Sequence, residues 1–267
     1  KNENNPQLER LMTETIAVLD EFFSKYLECD LSNVAPGRVW VIPSDRRDTP
    51  EPFHENIIAL WLIASGNRCV VSIQRTLEEP VKRVVNRLAL GDFRTPYGQK
   101  ALLEVLGSKL KHSYEVTGNS GPIFFVTPTT FRHIATDSCR LVTSEDIPAL
   151  QAVGLYGRYL DKSIAEETCF AAFDLGAPVA VAGTWEVPHM ADKVAELCVP
   201  GTVPARRREG FGKQVVAGTT GAVLKSGRVP VYVTSNLNFA SIATARTVGY
   251  QPYGWQFRIE VVPKSAG

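Results

Sequence analysis

Apolar positions along this 267-residue chain change period several times, and the changes mark out its elements. Over residues 6–28, Leu8, Leu11, Met12, Ile16, Leu19, Phe22, Phe23, Tyr26 and Leu27 recur at helical spacing and predict a core-packing helix. "GRVWVIP" (37–43) reads as a short strand and "RDTPEPFHE" (47–55) as a proline-rich loop. "IIALWLIASGNRCVVSIQ" (57–74) reads as two strands around a Ser65-Gly66-Asn67-Arg68 turn. Helical patterns follow near 77–90 and 97–110, and "GNSGPIFFVTP" (118–128) supplies a turn cluster and then a buried strand.

The second half alternates more regularly. Strands are expected at 139–143, 169–174, 178–187, 193–199, 229–234 and 252–262, with helices at 145–160, 210–226 and 238–248. Ser144 and Asp146 stand where the N-cap of the first of these helices belongs. The order predicts an α/β (α+β) fold, with a mixed sheet and flanking helices in the C-terminal half and an N-terminal α+β lobe. A boundary near residue 135 divides the chain into lobes 1–135 and 136–267. No short-period repeat or low-complexity segment interrupts it.

Composition narrows the class. With 44% hydrophobic and 21% charged residues, the chain has the makeup of a folded globular protein. A net charge of +1 provides no global field for nucleic acid or anionic lipid, so any basic site is local. The five cysteines (Cys29, Cys69, Cys139, Cys169, Cys198) lack C-x-x-C spacing, which argues against a disulfide framework or a zinc site and for a reducing, cytoplasmic setting. "IIALWLIA" (57–64) is far shorter than the ~18 residues of a spanning helix, and residues 1–7 show no signal-peptide pattern. The expectation is a protein neither secreted nor membrane-spanning.

The stretch that carries chemistry is "VPARRREGFGKQVVAG" (203–218), in which three arginines precede Gly210-x-Gly212 and a helical run. A helix that starts after such a loop aims unpaired N–H groups at whatever lies beyond it. Glycine permits close approach, and the helix dipole and Arg206–Arg208 favour an anion such as phosphate or pyrophosphate. Close helix packing is the alternative reading of the two glycines. The stretch is neither a P-loop nor G-x-G-x-x-G.

Arg207-x-x-Gly210-x-Gly212 matches the R/Q-x-x-G-x-G/A signature of the GNAT superfamily of acyl-CoA-dependent N-acyltransferases. The element order over 139–262 resembles that fold, and "VYVTSNLNFASIATARTVGYQPYG" (231–254) resembles the family's second cofactor segment, with Asn238-x-x-Ser241 on a helix. The resemblance implies acetyl-CoA, or another acyl-CoA, in a V-shaped opening between the fourth and fifth strands. Its pyrophosphate would rest on Arg207, Arg208, Glu209, Gly210, Phe211, Gly212 and Lys213. Its pantetheine arm would pair with the backbone around Val199, Gly201, Thr202 and Val203, and Asn238 and Ser241 would complete the site. Asn238 reads equally well as a helix N-cap.

In such a site an amine attacks a thioester, so the site needs a general base and an oxyanion donor. Glu196, eleven residues before Arg207, has a spacing that resembles that of the general-base glutamate in the family's histone acetyltransferase branch, and a solvated or ion-paired strand glutamate is the competing reading. Glu186 and His189 are the next candidates. The family's usual acid tyrosine is replaced by Ala245, which leaves Tyr250, Tyr253 or solvent to protonate the thiolate; Tyr250 also fits a core aromatic position. Pro200 has no N–H near the place where relatives polarise the carbonyl. Either a bulge shifts the donor to Gly201 or Thr202, or the site is incompetent. Cys198 reads as a small core residue rather than a nucleophile, since no histidine lies near it in sequence.

The N-terminal half resembles the added lobe of two-lobed members, including the glycine N-acyltransferase branch and tandem proteins, with "LGDFRTPYGQK" (90–100) as an acceptor-lining candidate or plain surface loop. The expected function is transfer of an acetyl or short acyl group to the primary amine of a small molecule. It needs no metal, no nucleic acid and no membrane, and the expected assembly is a homodimer. The alternative is a non-catalytic acyl-CoA-binding module. A protein or aminoacyl-tRNA acceptor is the third reading, and the near-neutral charge speaks against the tRNA version, because phosphate recognition leaves a basic footprint.

Overall fold

The computed structural model describes residues 6–51, 56–135 and 137–264. In chain order the elements are α1 (Pro6–Leu27), β1 (Val39–Pro43), β2 (Ile57–Ser65), β3 (Arg68–Ile73), α2 (Glu78–Val85), α3 (Pro96–Leu110) and β4 (Tyr114–Phe125). There follow β5 (Cys139–Leu141), α4 (Ile147–Ala152), α5 (Asp161–Ala165), β6 (Phe170–Asp174), β7 (Ala177–Thr184), β8 (Val194–Thr202), α6 (Phe211–Lys225), β9 (Val229–Val233), α7 (Phe239–Val248) and β10 (Gln251–Pro263). The result is the expected mixed α+β architecture. Part of the loop expected at 47–55 falls on residues 52–55, outside the described residues.

Packing groups the chain into two compact units, Lys1–Val18 with Phe124–Pro252, and Leu19–Ile123 with Tyr253–Gly267. This is a partition by contact. The division into lobes 1–135 and 136–267 is a different statement and stays a proposal.

In the second of these units the strands run β1-β3-β2-β10-β4. β2 and β3 form the antiparallel hairpin read from the sequence, β1 lies parallel to β3, and β10 lies antiparallel to β2. β2 is buried almost throughout because both its faces are covered, which is why it reads as an unbroken apolar run rather than an alternation. Leu60 and Leu62 face a core with Val81, Val85, Phe93, Leu102, Leu106, Phe257 and Ile259.

In the other unit the strands run β9-β8-β7-β6-β5, all antiparallel except the β8–β9 pair. Strand alternation sorts side chains into two cores. Ala180, Ala182 and Leu197 join Phe211, Val215, Val216, Tyr232, Val248 and Tyr250, whereas Val181 and Cys198 join Leu150, Leu155, Leu160 and Cys169.

The helix expected at 145–160 stops early. The Leu155 N–H bonds the Leu150 carbonyl (2.9 Å) and the Gly154 N–H bonds that of Gln151 (3.0 Å), a Schellman ending with Gly154 at φ +71°. Leu150 and Leu155 both bury in the same core and fix that ending. The cap also moves by one residue: Asp146 accepts from the N–H of Thr143 at 2.9 Å, so Thr143 rather than Ser144 opens the turn.

Candidate functional site

β8 and β9 are neighbours that run parallel, but their register covers only Val194–Glu196 against Val229–Val231. β8 continues to Thr202 against β7, and beyond Glu196 its other edge has no partner strand among the described residues. The Glu196 carbonyl accepts from Trp185 N–H (2.8 Å) on the β7 side. Alternation therefore turns the main-chain groups of Leu197 and Val199 toward the open side.

The β7–β8 ladder carries a bulge here. Val181 pairs with Gly201 and Gly183 with Cys198, so Val199 and Pro200 together oppose Ala182. Gly201 takes φ +124°, a conformation closed to ordinary side chains. The ladder thus carries a bulge at Pro200.

Because β8 and β9 are parallel neighbours, the chain leaves both at the same end, and each exit leads into a helix start: α6 after β8, α7 after β9. Gly210 caps α6 at φ +93° with no side-chain cap, so among the described residues the N–H groups of Phe211, Gly212 and Lys213 have no capping side chain. A Cβ on Gly212 would lie 3.2 Å from Thr202 Oγ1, so glycine lets the helix start sit against the end of β8.

The three arginines divide their labour. Arg206 is held by Asp174 of β6 and by Glu209, with its guanidinium 5.1 Å from the centre of the Phe211 ring, and these carboxylates raise its pKa. Its charge is neutralised, so it braces the loop and does not supply the anion site. Glu209 is correspondingly occupied, its carboxyl held below the usual range by Arg206, which leaves only its main chain for a ligand. Arg207 donates from Nε to the Thr202 carbonyl (3.3 Å), and Arg208 sits at φ +67°. Arg207, Arg208 and Lys213 are exposed, and no ion pair engages them among the described residues. They are the free cations at the α6 start.

At the α7 start, Asn238 Oδ1 accepts from Ser241 N–H (3.1 Å), which is the N-cap reading, and the residue is exposed. The Ser241 hydroxyl meets that of Tyr232 at 2.8 Å. Tyr232, one residue past the last β8–β9 pair, is absent from the sequence reading, as is Asp174; an aromatic inside a strand and an acid 32 residues before its partner give no local signal.

Glu196 stands at the fork itself, half-buried, the last β8 residue paired with β9. Glu186 is salt-bridged to Lys162 at 3.1 Å. The acid role expected of Tyr250 is not supported by its position: the side chain lies in the core, its hydroxyl is engaged with Thr220 (2.8 Å), and burial raises its pKa far above the ordinary value. Tyr253 is likewise occupied, donating to Asp20 at 2.7 Å. Cys198 is a buried core residue whose thiol is pushed up by burial, in keeping with the packing role. The Phe211 side chain is buried in the core and leaves only its N–H for a ligand. Among the described residues no helix is long and apolar enough to cross a membrane.

No family model and no curated protein matches this chain. Solved structures do resemble it. A GNAT-family acetyltransferase from Colwellia psychrerythraea is 16% identical over 61% of this chain and 63% of its own, with a TM-score of 0.46. A GCN5-related N-acetyltransferase from Kribbella flavida is 21% identical over 61% and 64%, at 0.44. A tandem GNAT protein from the clavulanic acid biosynthesis pathway is 11% identical over 67% and 74%, at 0.41. The chain spans less than two thirds of the first two. The solved structures it is similar to thus include GNAT acetyltransferases, one of them a tandem protein.

Proposed function

We propose that this chain is a GNAT-type, CoA-dependent N-acyltransferase that moves an acetyl or other short acyl group to the primary amine of a small molecule. The observation that carries the reading is the fork: a parallel strand pair that unpairs after Glu196, with two helix N-termini and three free cations at the same end. A pyrophosphate fits the amides of Phe211, Gly212 and Lys213 under Arg207, Arg208 and Lys213. An extended pantetheine arm fits the unpaired edge at Leu197 and Val199, as an added strand would. Asn238 Nδ2 is available to the arm while Oδ1 caps α7.

Glu196 accepts the proton of the attacking amine, directly or through one water. The amine nitrogen bonds to the thioester carbonyl carbon, the carbon–sulfur bond breaks, and the departing thiolate takes its proton from solvent, since both candidate tyrosines are occupied. The bulge supplies the place for an N–H to the developing oxyanion at Gly201 or Thr202. A cytoplasmic location, a lobed division at residue 135, a homodimer and the absence of metal, nucleic-acid and membrane partners belong to this proposal.

Pro200 favours a second reading, a module that binds acyl-CoA without turnover, because it removes one main-chain donor beside the open edge. Release of free CoA thiol from acetyl-CoA, followed across a panel of primary amines, separates the two. The transferase reading expects amine-dependent release that falls about 100-fold or more in kcat for Glu196→Gln with KM for acetyl-CoA little changed. Tight binding of acetyl-CoA with no release for any amine would select the binding module.

A further inference from the structure

β5 ends the row of strands in its unit: it pairs with β6 and, among the described residues, with no other strand. The Val142 N–H donates to the Cys169 carbonyl (2.9 Å) and the Phe173 N–H to the Ser138 carbonyl (2.7 Å). Alternation along an antiparallel pair therefore turns the main chain of Ser138, Arg140 and Val142 toward β6 and that of Cys139 and Leu141 outward. The Leu141 carbonyl accepts from Arg140 Nη1 at 3.0 Å. The two outward N–H groups and the Cys139 carbonyl have no partner among the described residues. Such an edge is a template for one more strand.

Two grooves flank this edge, one on each face of the sheet. The first, of about 580 Å³, lies on the α6 side and is lined by Leu141, Phe131, Phe170, Gly218, Gly221 and Lys225. Small residues on α6 create it. A Cβ on Gly218 would stand 2.7 Å from the Phe170 ring, so glycine seats that ring, whereas a Cβ on Gly221 would meet Phe131 at an ordinary 3.7 Å. The second groove, of about 490 Å³, lies on the α4–α5 side and is lined by Leu141, Val142, Ile147, Ile164 and Ala165. That the faces are opposite follows from the cores: Phe131 and Cys139 pack with α6, and Val142 and Ile164 with Leu150 and Leu160. Leu141 and Glu167 border both grooves. All these residues belong to one compact unit, and β6 and β7 separate them from the fork at β8.

Successive residues of an extended chain point to opposite faces, so a strand laid along β5 sets two consecutive side chains into the two grooves. The floors call for apolar side chains, and Glu167 calls for a cation beside them. Glu167 is exposed and has no ion pair among the described residues, whereas the neighbouring Glu166 is held by Arg228 at 2.8 Å. Glu167 stands at φ +55°, in a turn closed by its own N–H on the Ile164 carbonyl (3.1 Å) and by the Thr168 N–H on that of Ser163 (2.8 Å). Glycine is the usual residue at that position. A second copy of the chain is a poorer occupant. Its Leu141 could enter the first groove, but Arg140, which would face the other, is already held by Asp146 (2.7 Å) over the Phe173 ring.

We infer that the β5 edge binds an extended peptide as an added strand, with two consecutive apolar side chains seated in the two grooves and a lysine or arginine of the peptide paired with Glu167. This partner-binding surface is independent of the acyl-CoA reading and stands or falls without it.

Fluorescence anisotropy on the full chain tests it with a fluorescein-labelled peptide of sequence Gly-Lys-Leu-Val-Lys-Gly and with the same peptide N-methylated at leucine and valine. Saturable binding of the first peptide is expected, weakened about tenfold or more by N-methylation, which removes main-chain donors and keeps the side chains. Gly221→Leu, which fills the α6-side groove, should weaken binding to a similar degree. Glu167→Gly, which keeps the turn and removes the carboxylate, should weaken it severalfold with no fall in the melting temperature. Arg207→Glu/Arg208→Glu at the α6 start should leave it unchanged. If Gly221→Leu fails to give a cooperative unfolding transition, Glu167→Gly carries the comparison. No saturable binding at millimolar peptide would overturn the proposal, as would equal binding of the N-methylated peptide. A dimer in sedimentation velocity that Gly221→Leu dissociates would assign the edge to a second copy and overturn it too.

Discussion

At the scale of single residues, the proposed site is shaped by side chains that belong to its frame rather than to its binding surface. Arg206 looks from the sequence like one of three phosphate-binding arginines, yet Asp174 and Glu209 consume its charge and make it a brace for the loop that presents Arg207 and Arg208. Asp174→Ala should therefore weaken acetyl-CoA binding about tenfold by titration calorimetry while removing no cation; unchanged affinity would show that the loop holds its shape without the brace. A second carboxylate reports on pH. Arg140, and then the Thr143 N–H, hold the Asp146 carboxyl at about 2, below its unfolded value near 4. A depressed folded pKa contributes stability that is present above about pH 4 and is lost as the pH falls toward 2. Asp146→Asn should flatten the acid limb of a stability–pH curve over that window, and an unaltered limb would place the acid sensitivity elsewhere.

At the scale of elements, most of the fold was legible because the chain states it locally. Period-2 and period-3.6 runs placed most strands and helices within a few residues, and the 57–74 hairpin formed where Gly66-Asn67 put it, but β4 begins at Tyr114 and runs through the turn cluster expected at Gly118–Gly121. What was not legible depends on partners distant in sequence. The 145–160 run carries helical periodicity past its true end, because Leu155 is apolar for a Schellman contact with Leu150 rather than for another turn. The motif residues of the site were readable, since Gly210, Gly212 and Asn238 are answers to local backbone demands. The Arg206 brace and the burial of Tyr250 were not, as each is fixed by residues on other strands and helices. Asn238 carries two demands at once, and substitution can divide them. Asn238→Ala removes the α7 cap and should cost about 1 kcal/mol in urea unfolding. Asn238→Asp keeps an Oδ cap but loses the Nδ2 donor, so stability should hold while the KM for acetyl-CoA rises severalfold. If KM stays at the wild-type value in Asn238→Asp, the residue is a cap alone.

At the scale of the whole molecule, the account comes down to linkage between a ligand and the folded state. The fork, the uncapped α6 start and the free cations Arg207, Arg208 and Lys213 lie in one compact unit, so ligand free energy enters the stability of that unit directly. A ligand at 100 times its dissociation constant adds about 2.7 kcal/mol. Thermal unfolding with and without acetyl-CoA, on the wild type and on Arg207→Glu/Arg208→Glu, is the most direct measurement. The account predicts a saturable rise of several degrees in the wild type that is abolished in the double variant, whose unliganded transition stays within a degree or two because both side chains are exposed. No rise at millimolar acetyl-CoA, or the same rise in both proteins, would contradict the claim that this fork and this helix start hold an acyl-CoA.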